Sequence, residues 1–470
     1  MLYRMAIDMA NELNFYLITD LHHYAQSLGT SGKGFEKALS KDQKCLKQTG
    51  AIIDAYIDKI LEDKDINIVL VDGDVSCNGA KESHLDLIPR LRRLKNCGKR
   101  VFVITATHDY VTEGNEVGEG FKCVGDEILP AEMTTREELV DLYFEFGMNE
   151  ALSIHKESHC YSVKLQDGYR LLCLNDDGDK IFCGYDEDTL RWIDEEIDKA
   201  HTAGDYIFAI THHPVLPPSP IYPIISERDM LGAWEKTAKH FADKGIKFVF
   251  TGHAHMMNIA HLVTEKGNEL YDVNTSSLVG YPSVMRKVVF GDEKVHVSSI
   301  QLKDFKGDFD GMDPTDYMKM RFDSFLNRVF DTVAFDYDTF ANEVSPSFSF
   351  TPERAYRLKF PLNFLGQKLH SLTFKKLGKL LGISKSIAPE IADRNVKDFA
   401  IEIVRNVFCG DEPYTPDTPE YKACRAAFER IEKLAKPIKK LREPVSRVGS
   451  LIDGVLYNAP PADWEGTFLK

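Results

Sequence analysis

The first part of the chain, up to about residue 280, alternates short apolar runs with longer segments of helical period. The runs are rich in β-branched and aromatic residues and lie at 14–19, 67–71, 100–105, 169–174, 206–211 and 246–251. Helices are predicted around 35–63, 81–96, 135–147, 187–202 and 229–243. Strands that alternate with helices in this way are typical of an α/β domain with largely parallel strands.

Two hairpins and a change of composition set the limits of this predicted domain. Alternating strands flank Asp167-Gly168, and a second pair turns at Gly291-Asp292. Residues 304–316 form a Gly/Asp/Pro-rich stretch that is typical of a linker. We therefore predict an α/β domain over 1–303 and a mainly α-helical domain of unknown role over 317–470.

Composition limits the location of the protein. No apolar run approaches the length of about 20 residues that spans a bilayer. The N-terminal segment lacks the apolar core and the cleavage site of a signal peptide. Nine cysteines without CxxC spacing fit a reduced compartment better than a disulfide framework. These features predict a cytoplasmic protein with no membrane partner, although a secreted protein trimmed of its signal would look the same.

Charge limits the partners. The net charge of −15 would repel nucleic-acid phosphates, so nucleic acid is not an expected partner. Two basic clusters in the helical part are predicted to be solvated helix faces, with an anionic-ligand patch as the alternative. They consist of Lys375, Lys376 and Lys379, and of Lys439, Lys440 and Arg442.

Carboxylate and imidazole side chains follow five of the predicted strands, at the point where each strand ends. The strand tails read Asp20-Leu21-His22, Asp72-Gly73-Asp74, Thr107-His108-Asp109, His212-His213 and Gly252-His253-Ala254-His255. Any one of these tails alone is ordinarily a turn former, a helix cap or a surface pair. In open α/β sheets, however, the carboxyl ends of the strands form the edge where ligands bind. Five such tails together therefore favour one common site.

The ligand types at this edge suit metal ions. Carboxylates and imidazoles without thiolate are typical of sites for Mn, Fe, Zn or related ions. An aspartate that bridges two ions among histidines is what a two-metal hydrolytic site needs, with the ions about 3.5–4 Å apart.

The order of these motifs resembles the calcineurin-like metallophosphoesterase family, which includes purple acid phosphatases and many phosphodiesterases. The family pattern D-x-H, G-D, G-N-H-D/E, H and G-H-x-H is met by five segments in the same order. They are Asp20-x-His22, Gly73-Asp74, Ala106-Thr107-His108-Asp109, His212 and Gly252-His253-x-His255. The resemblance covers residues 14 to about 290. It implies a four-layer αββα sandwich, to which the predicted α-helical C-terminal part would be an appendage.

The resemblance also implies a ligand set. Asp20, His22 and His255 would hold a first ion, Asp74 would bridge to a second, and His212 and His253 would hold the second. We prefer His22 to His23 because one intervening residue returns a strand-end side chain to the same face. His212 is preferred to His213 because it has the family position before the x-Pro turn. His213 is then expected to support the ligands or to face the substrate.

Three consecutive residues complete the implied site. His108 would protonate the leaving oxygen of the substrate, and Asp109 would orient it. Thr107 stands where the family has an asparagine whose side-chain carbonyl is a ligand to the second ion. A threonine hydroxyl is a poorer donor to a divalent ion. This predicts a second site that is weaker, tuned to another metal or completed by water.

The function implied by the resemblance is hydrolysis of a small phosphate ester, either a monoester or a diester. Two divalent or trivalent ions such as Mn, Fe or Zn would activate a hydroxide that attacks phosphorus. One alternative is a nuclease of the same superfamily, which would need a basic groove that the acidic balance argues against. Another is a metal-binding or scaffold protein with weakened catalysis. Because His108, Asp109 and the six ligand positions are retained, an enzyme is favoured. The sequence indicates no oligomeric state.

Overall fold

The computed structural model describes residues 12–111, 120–177, 183–348, 350–437, 446, 449, 451–458 and 463–470. These residues form two compact units. The first takes its residues from Met1–Pro218, Arg228–Phe322 and Ala462–Lys470. The second takes its residues from Ser219–Glu227 and Asp323–Pro461.

The first unit contains a six-stranded sheet in the order β15-β14-β13-β1-β2-β3. Its strands are β1 (Leu13–Ile18), β2 (Ile68–Asp72), β3 (Arg100–Ile104), β13 (Met285–Phe290), β14 (Lys294–Ile300) and β15 (Gly466–Leu469). The three strands β1, β2 and β3 are parallel, whereas β13, β14 and β15 pair antiparallel. The predicted hairpin at Gly291-Asp292 is the pair β13 and β14, which confirms that prediction.

A seven-stranded sheet in the order β11-β12-β10-β9-β8-β7-β6 lies in the same unit. Its strands are β6 (Ser153–Ile154), β7 (Tyr161–Gln166), β8 (Tyr169–Leu174), β9 (Tyr206–Thr211), β10 (Phe248–Thr251), β11 (Asn258–Val263) and β12 (Glu269–Asn274). Strands β8, β9, β10 and β12 are parallel to one another. A separate hairpin joins β4 (Phe121–Val124) to β5 (Glu127–Pro130).

Helices of the first unit mostly follow the predicted segments. Their bounds are Gly32–Ser40, Thr49–Glu62, Lys81–Asn96, Arg136–Tyr143, Glu187–Ala203 and Trp234–Asp243, and the helix Pro314–Phe335 begins in this unit. The prediction of one helix over 35–63 is wrong, because the chain leaves helical geometry between the first two of these helices. That break places Gln43 and Lys44 beside the strand ends, as described below.

Three apolar clusters show why the unit has four layers. Alternate residues of both sheets, such as Phe15, Phe102, Phe208 and Phe250, form a core between the sheets. On the outer face of the first sheet, Ile18 and Val71 lie in one cluster with residues of the helices Thr49–Glu62 and Lys81–Asn96. The outer face of the second sheet packs in the same way on Glu187–Ala203 and Trp234–Asp243. The predicted αββα sandwich is therefore confirmed.

The second unit is helical where the structure describes it. Its helices include Tyr222–Ile225, Tyr337–Thr339, Pro352–Arg357, Lys359–Leu369, Phe374–Leu381, Val396–Cys409 and Pro419–Ala435. One core cluster groups Phe374, Ile391, Phe399 and Leu456, and another groups Tyr337, Phe340 and Val344. Lys375, Lys376 and Lys379 are exposed, as predicted. Lys439, Lys440 and Arg442 lie outside the described residues.

The division of the chain differs from the sequence-based ranges in three places. The segment Ser219–Glu227 lies inside the predicted domain 1–303 but belongs to the second unit. The helix Pro314–Phe335 begins inside the predicted linker 304–316. Strand β15 lies near the end of the range 317–470, yet it pairs with β14 of the first unit. In the part of the chain that the structure describes, no helix has the length and apolar character needed to cross a bilayer.

Candidate metal centre

The carboxyl ends of five parallel strands supply the predicted site residues. Asp20 and His22 follow β1, Asp74 follows β2, and His108 follows β3. In the other sheet His212 follows β9, whereas His253 and His255 follow β10. Because β1, β2 and β3 are neighbours, as are β9 and β10, the sheet topology gathers these side chains at one edge.

Five of the six predicted ligands adopt a left-handed backbone conformation. Asp20, His22, Asp74, His253 and His255 have φ between 35° and 61°. Residues other than glycine rarely adopt this region, and such strain is typical of functional sites.

Two glycines allow the strand tails to approach one another. A Cβ on Gly252 would lie 2.1 Å from Thr19 Oγ1 and 2.5 Å from Asp20 Oδ2. A Cβ on Gly73 would lie 2.4 Å from His212 Nδ1. The glycines of the G-D and G-H-x-H motifs are thus required by close packing.

A first trio of donor groups consists of Asp20, His22 and His255. His22 Nε2 lies 3.0 Å from His255 Nε2 and 3.4 Å from Asp20 Oδ1. His255 Nε2 lies 3.2 Å from the same carboxylate oxygen. A metal ion bound at about 2.1 Å keeps neighbouring ligand atoms about 3–3.4 Å apart in tetrahedral or octahedral geometry. The first trio therefore fits a divalent ion.

A second trio consists of Asp74, His212 and His253, whose donor atoms all lie within 4.8 Å of one another. His212 Nε2 lies 3.1 Å from Asp74 Oδ2. The same Asp74 oxygen is 3.8 Å from His22 Nε2 of the first trio. Asp74 Oδ2 thus faces both trios, as a bridging ligand must.

Hydrogen bonds fix the ligands and leave donor atoms unpaired. Asp20 Oδ2 accepts from Thr19 Oγ1 and from the backbone N–H of His253. His212 Nδ1 donates to the carbonyl oxygen of Asp72 at 2.8 Å. Among the described residues, several buried atoms of the two trios find no hydrogen-bond partner, and these include Asp20 Oδ1, His212 Nε2 and His253 Nδ1. Because a buried polar atom without a partner costs about 1–3 kcal/mol, such atoms are explained by a ligand that binds them.

The electrostatics favour the ligand forms of Asp20 and His22, but they favour the protonated form of His212. Burial raises the pKa of Asp20, but the charges of His212 and His255 outweigh it and hold this pKa well below its usual value. Burial and the charge of Lys44 lower the pKa of His22 to about 3. Burial lowers the pKa of His212, but Asp74 and Asp20 outweigh it and raise this pKa well above its usual value. An ion in the second trio would therefore displace a proton from His212.

His108 lies beside the two trios without joining them. Its ring stands edge-on to the ring of His22, with the centroids 5.5 Å apart. Its Nδ1 donates to Asn78 Oδ1 at 3.0 Å, and its backbone N–H donates to Asp74 Oδ1. Burial lowers the pKa of His108, and Asp74 opposes this effect. The residue that orients this ring is Asn78.

Asp109 therefore does not have the orienting role that the sequence suggested. Its Oδ1 accepts hydrogen bonds from the backbone N–H and the hydroxyl of Ser76, and its Oδ2 accepts from the backbone N–H of Ala106. The carboxylate is thus engaged in holding the loops after β2 and β3. Burial, with the charge of Asp74, raises the pKa of Asp109 to about 7. In the sequence, Asn78-Gly79 predicts only a turn, and no motif connects Asn78 with His108.

Thr107 is half-buried in the turn after β3, next to His108. Nothing in the described residues tests whether Thr107 is a ligand to the second ion. A weakened second metal site therefore stays a prediction.

Two residues in the break between helices complete the surroundings of the trios. The side-chain amide of Gln43 contacts His255 Nδ1 at 3.0 Å. Lys44 is buried and forms an ion pair with Asp42 at 3.3 Å. The charge of Lys44 contributes to lowering the pKa of His22 and of His108. Neither residue has a sequence signal, because each reaches the site from a loop remote in sequence from the strand tails.

A third group of possible ligands adjoins the second trio. Asp176, Cys183 and His213 have donor atoms within 4.8 Å of one another. Asp176 accepts from the ring and the backbone N–H of His213 at 2.9 and 2.7 Å. The rings of His213 and His253 lie 4.0 Å apart. His213 thus packs against a ligand of the second trio and is held there by Asp176.

The chain resembles one known family and several solved structures. The family model described as calcineurin-like phosphoesterase matches residues 13–257. Among solved structures, the chain is similar to a dimetal phosphatase from Danio rerio, at 11% identity and a TM-score of 0.45, over 62% of this chain and 96% of that one. It is also similar to phosphopantetheinyl hydrolase from Mycobacterium tuberculosis, at 14% identity and a TM-score of 0.27, over 57% and 90% of the two chains. A third similar structure is vacuolar protein sorting 29 from Cryptosporidium parvum, at 13% identity and a TM-score of 0.25, over 63% and 94%. A comparison with curated proteins found no match.

Proposed function

The chain belongs to the calcineurin-like phosphoesterase family, and on that premise we propose that it hydrolyses small phosphate esters at a dinuclear metal centre. The observation that carries the proposal is the position of Asp74 Oδ2. This oxygen is 3.1 Å from His212 Nε2 and 3.8 Å from His22 Nε2, so one carboxylate serves both trios. A single-metal or purely structural site would not need a carboxylate in this position.

Each trio has a defined role in this proposal. Asp20, His22 and His255 would hold one ion, and Asp74, His212 and His253 would hold the other. Two bound ions would supply positive charge for the phosphate oxygens and would favour deprotonation of the attacking water. The buried ammonium group of Lys44 adds fixed positive charge near the same position, which supports binding of an anionic ester.

His108 supplies the proton that the leaving oxygen needs. Its Nδ1 proton is held by Asn78 Oδ1, so a second proton on Nε2 is the one available for transfer. Asn78 fixes the ring plane and therefore the direction in which Nε2 points. Neither the attack by water nor the protonation of the leaving oxygen requires a covalent phospho-enzyme.

The test is hydrolysis of aryl phosphate monoesters and diesters by the purified full-length protein. The protein is first stripped with a chelator and then supplied separately with Mn, Fe or Zn. We expect activity to depend on added metal and to be absent from Asp74→Ala. The control variant is Asp198→Asn, which replaces an exposed aspartate and should keep full activity.

Two results would count against the proposal. Hydrolysis that is unaffected by chelation would exclude a metal-dependent mechanism. Metal binding without hydrolysis of any ester would instead support the alternative of a metal-binding protein with weakened catalysis.

A further inference from the structure

The helix Lys359–Leu369 in the second unit packs with one face only. On this face Asn363 Nδ2 donates to the carbonyl oxygens of Val333 and Ala334 at 3.0 and 2.9 Å. Gly366 approaches so closely that a Cβ would lie 2.9 Å from Val333 Cγ1. Leu362 joins the same apolar cluster. The positions 362, 363 and 366 thus define the inner face of the helix.

The outer face of this helix is apolar. Phe360 is 84% exposed, Phe364 is 55% exposed and Leu365 is 53% exposed. Phe360 and Phe364 are four residues apart, and their stacked rings lie 6.5 Å apart. Tyr356 and Leu358, just before the helix, are also exposed. A contiguous exposed apolar surface of this kind marks an interaction site.

The charged side chains in the segment around this helix are all basic. Residues 354–389 contain eight Lys and Arg and no Asp or Glu, although the chain as a whole carries a net charge of −15. The basic residues are Arg354, Arg357, Lys359, Lys368, Lys375, Lys376, Lys379 and Lys385. Among the described residues, Lys359 is the one of these eight that forms an ion pair with another segment, through the carboxylate of Asp338. Lys368 Nζ lies 5.3 Å from the ring centre of Phe364, so positive charge borders the aromatic face.

We propose that this basic apolar surface, formed by residues 354–369 with the lysines of Phe374–Leu381, binds the interface of an anionic phospholipid bilayer. Exposed Phe and Leu side chains flanked by Lys and Arg are what a helix needs to lie in a membrane interface. The aromatic rings enter the region below the headgroups, and the basic side chains contact lipid phosphates. Binding at the surface needs no spanning helix. The inference departs from the expectation, drawn from composition, that the protein has no membrane partner.

The positive charge of this surface favours an anionic bilayer over a second copy of the chain as the partner. Two copies joined through this face would place two basic surfaces against each other, and such like-charge contacts cost several kcal/mol. An anionic bilayer neutralises the same surface. The proposal does not depend on the reaction at the metal centre.

The test is co-sedimentation of the full-length protein with vesicles of phosphatidylcholine alone and with vesicles that also contain phosphatidylglycerol. We expect sedimentation with the anionic vesicles, little with the neutral ones, and release by salt. The double variant Phe360→Ser with Phe364→Ser, called the phenylalanine pair, should lose most of the binding. The pair Lys375→Glu and Lys376→Glu should weaken it by at least about fivefold for each lysine. Because all four side chains are exposed, circular dichroism and the thermal unfolding of the variants should match the wild type.

Matched controls are Val263→Ser and Lys33→Glu, which change an exposed apolar residue and an exposed lysine of the first unit. Both should bind vesicles as the wild type does. Equal binding to both kinds of vesicle, no binding to either, or full binding by the phenylalanine pair would each overturn the proposal. A wild-type dimer in solution that the phenylalanine pair dissociates would also overturn it, in favour of a second copy as the occupant of this face.

Discussion

At the scale of single residues, His108, Asn78 and Asp109 make different contacts. His108 faces the two trios, Asn78 accepts from its Nδ1, and Asp109 holds the backbone of Ala106 and Ser76. A motif in which histidine precedes an acidic residue suggests that the neighbours act together. Consecutive side chains after a strand point in different directions, however, and here the acid serves the loop.

Removal of the His108 imidazole should affect proton transfer and spare the metal sites. We expect His108→Ala to lower kcat by about 10²–10⁴-fold, the range for a lost general acid. The loss should be smaller for aryl esters with activated leaving groups, because these need no protonation. The measurement is kcat across a series of aryl phosphates together with metal content. A loss of equal size for good and poor leaving groups would exclude this role.

Thr107 offers a second test at this scale. If Thr107 faces the second trio, Thr107→Asn should supply a carbonyl ligand and tighten the second ion, since ligand number and donor strength set affinity. The metal concentration that gives half-maximal activity should then fall. Thr105→Asn, two residues earlier, serves as the control and should leave this concentration unchanged. An unaltered titration for Thr107→Asn would mean that the side chain does not face the second ion.

At the scale of elements, the approach of the β10 tail to the β1 tail determines the first trio. Gly252 allows this approach, since a Cβ there would overlap Thr19 Oγ1 and Asp20 Oδ2. We expect Gly252→Ala to displace Asp20, to reduce metal affinity and to lower the free energy of unfolding by about 1–3 kcal/mol, as overpacking does. Calorimetric metal titration and denaturant unfolding measure the two effects. Gly280→Ala is the control, because its Cβ would meet only ordinary contacts at 3.7 Å. Wild-type metal affinity in Gly252→Ala would contradict this account.

Some elements of the fold can be predicted from the sequence and others cannot. The buried strands β1, β2, β3, β8, β9 and β10 were predicted because their apolar runs are continuous. Strands β11 and β12 were missed, although a turn at Lys266-Gly267 separates them, because half-exposed strands give a weaker pattern. The break between Ser40 and Thr49 has no proline, so helical period alone gave no sign of it. The pairing of β15 with β14 joins segments more than 160 residues apart, and no local pattern reports such a contact.

The candidate site was predictable to a similar extent. The six ligand positions follow from strand-end motifs, which are local in sequence. The contacts of Asn78 with His108 and of Gln43 with His255 depend on how separate loops meet. Such contacts are set by tertiary packing, and the sequence signals for them were absent or ambiguous.

At the scale of the whole molecule, the two trios are a cost to folding unless ions occupy them. Buried polar atoms without hydrogen-bond partners, such as Asp20 Oδ1 and His212 Nε2, destabilise the folded chain, and ions that bind only the folded state stabilise it. At a free metal concentration of about 100 times Kd, this stabilisation is about 2.7 kcal/mol for each independent site. We therefore expect a chelator to lower the Tm of the metal-loaded protein by several degrees. Asp74→Ala should show no such shift, and a chelator effect of equal size in that variant would place the ions elsewhere.

The proposed metal centre depends on Asp74, which would join two metal ions held by the two trios. The most direct measurement is the number of metal ions per chain, by elemental analysis of wild type, Asp74→Ala and the surface control Asp198→Asn after loading and removal of free metal. We expect two ions in the wild type and in the control, and none retained by Asp74→Ala, with the circular dichroism spectrum unchanged. A folded Asp74→Ala that keeps two ions, or a wild type that binds none, would contradict it.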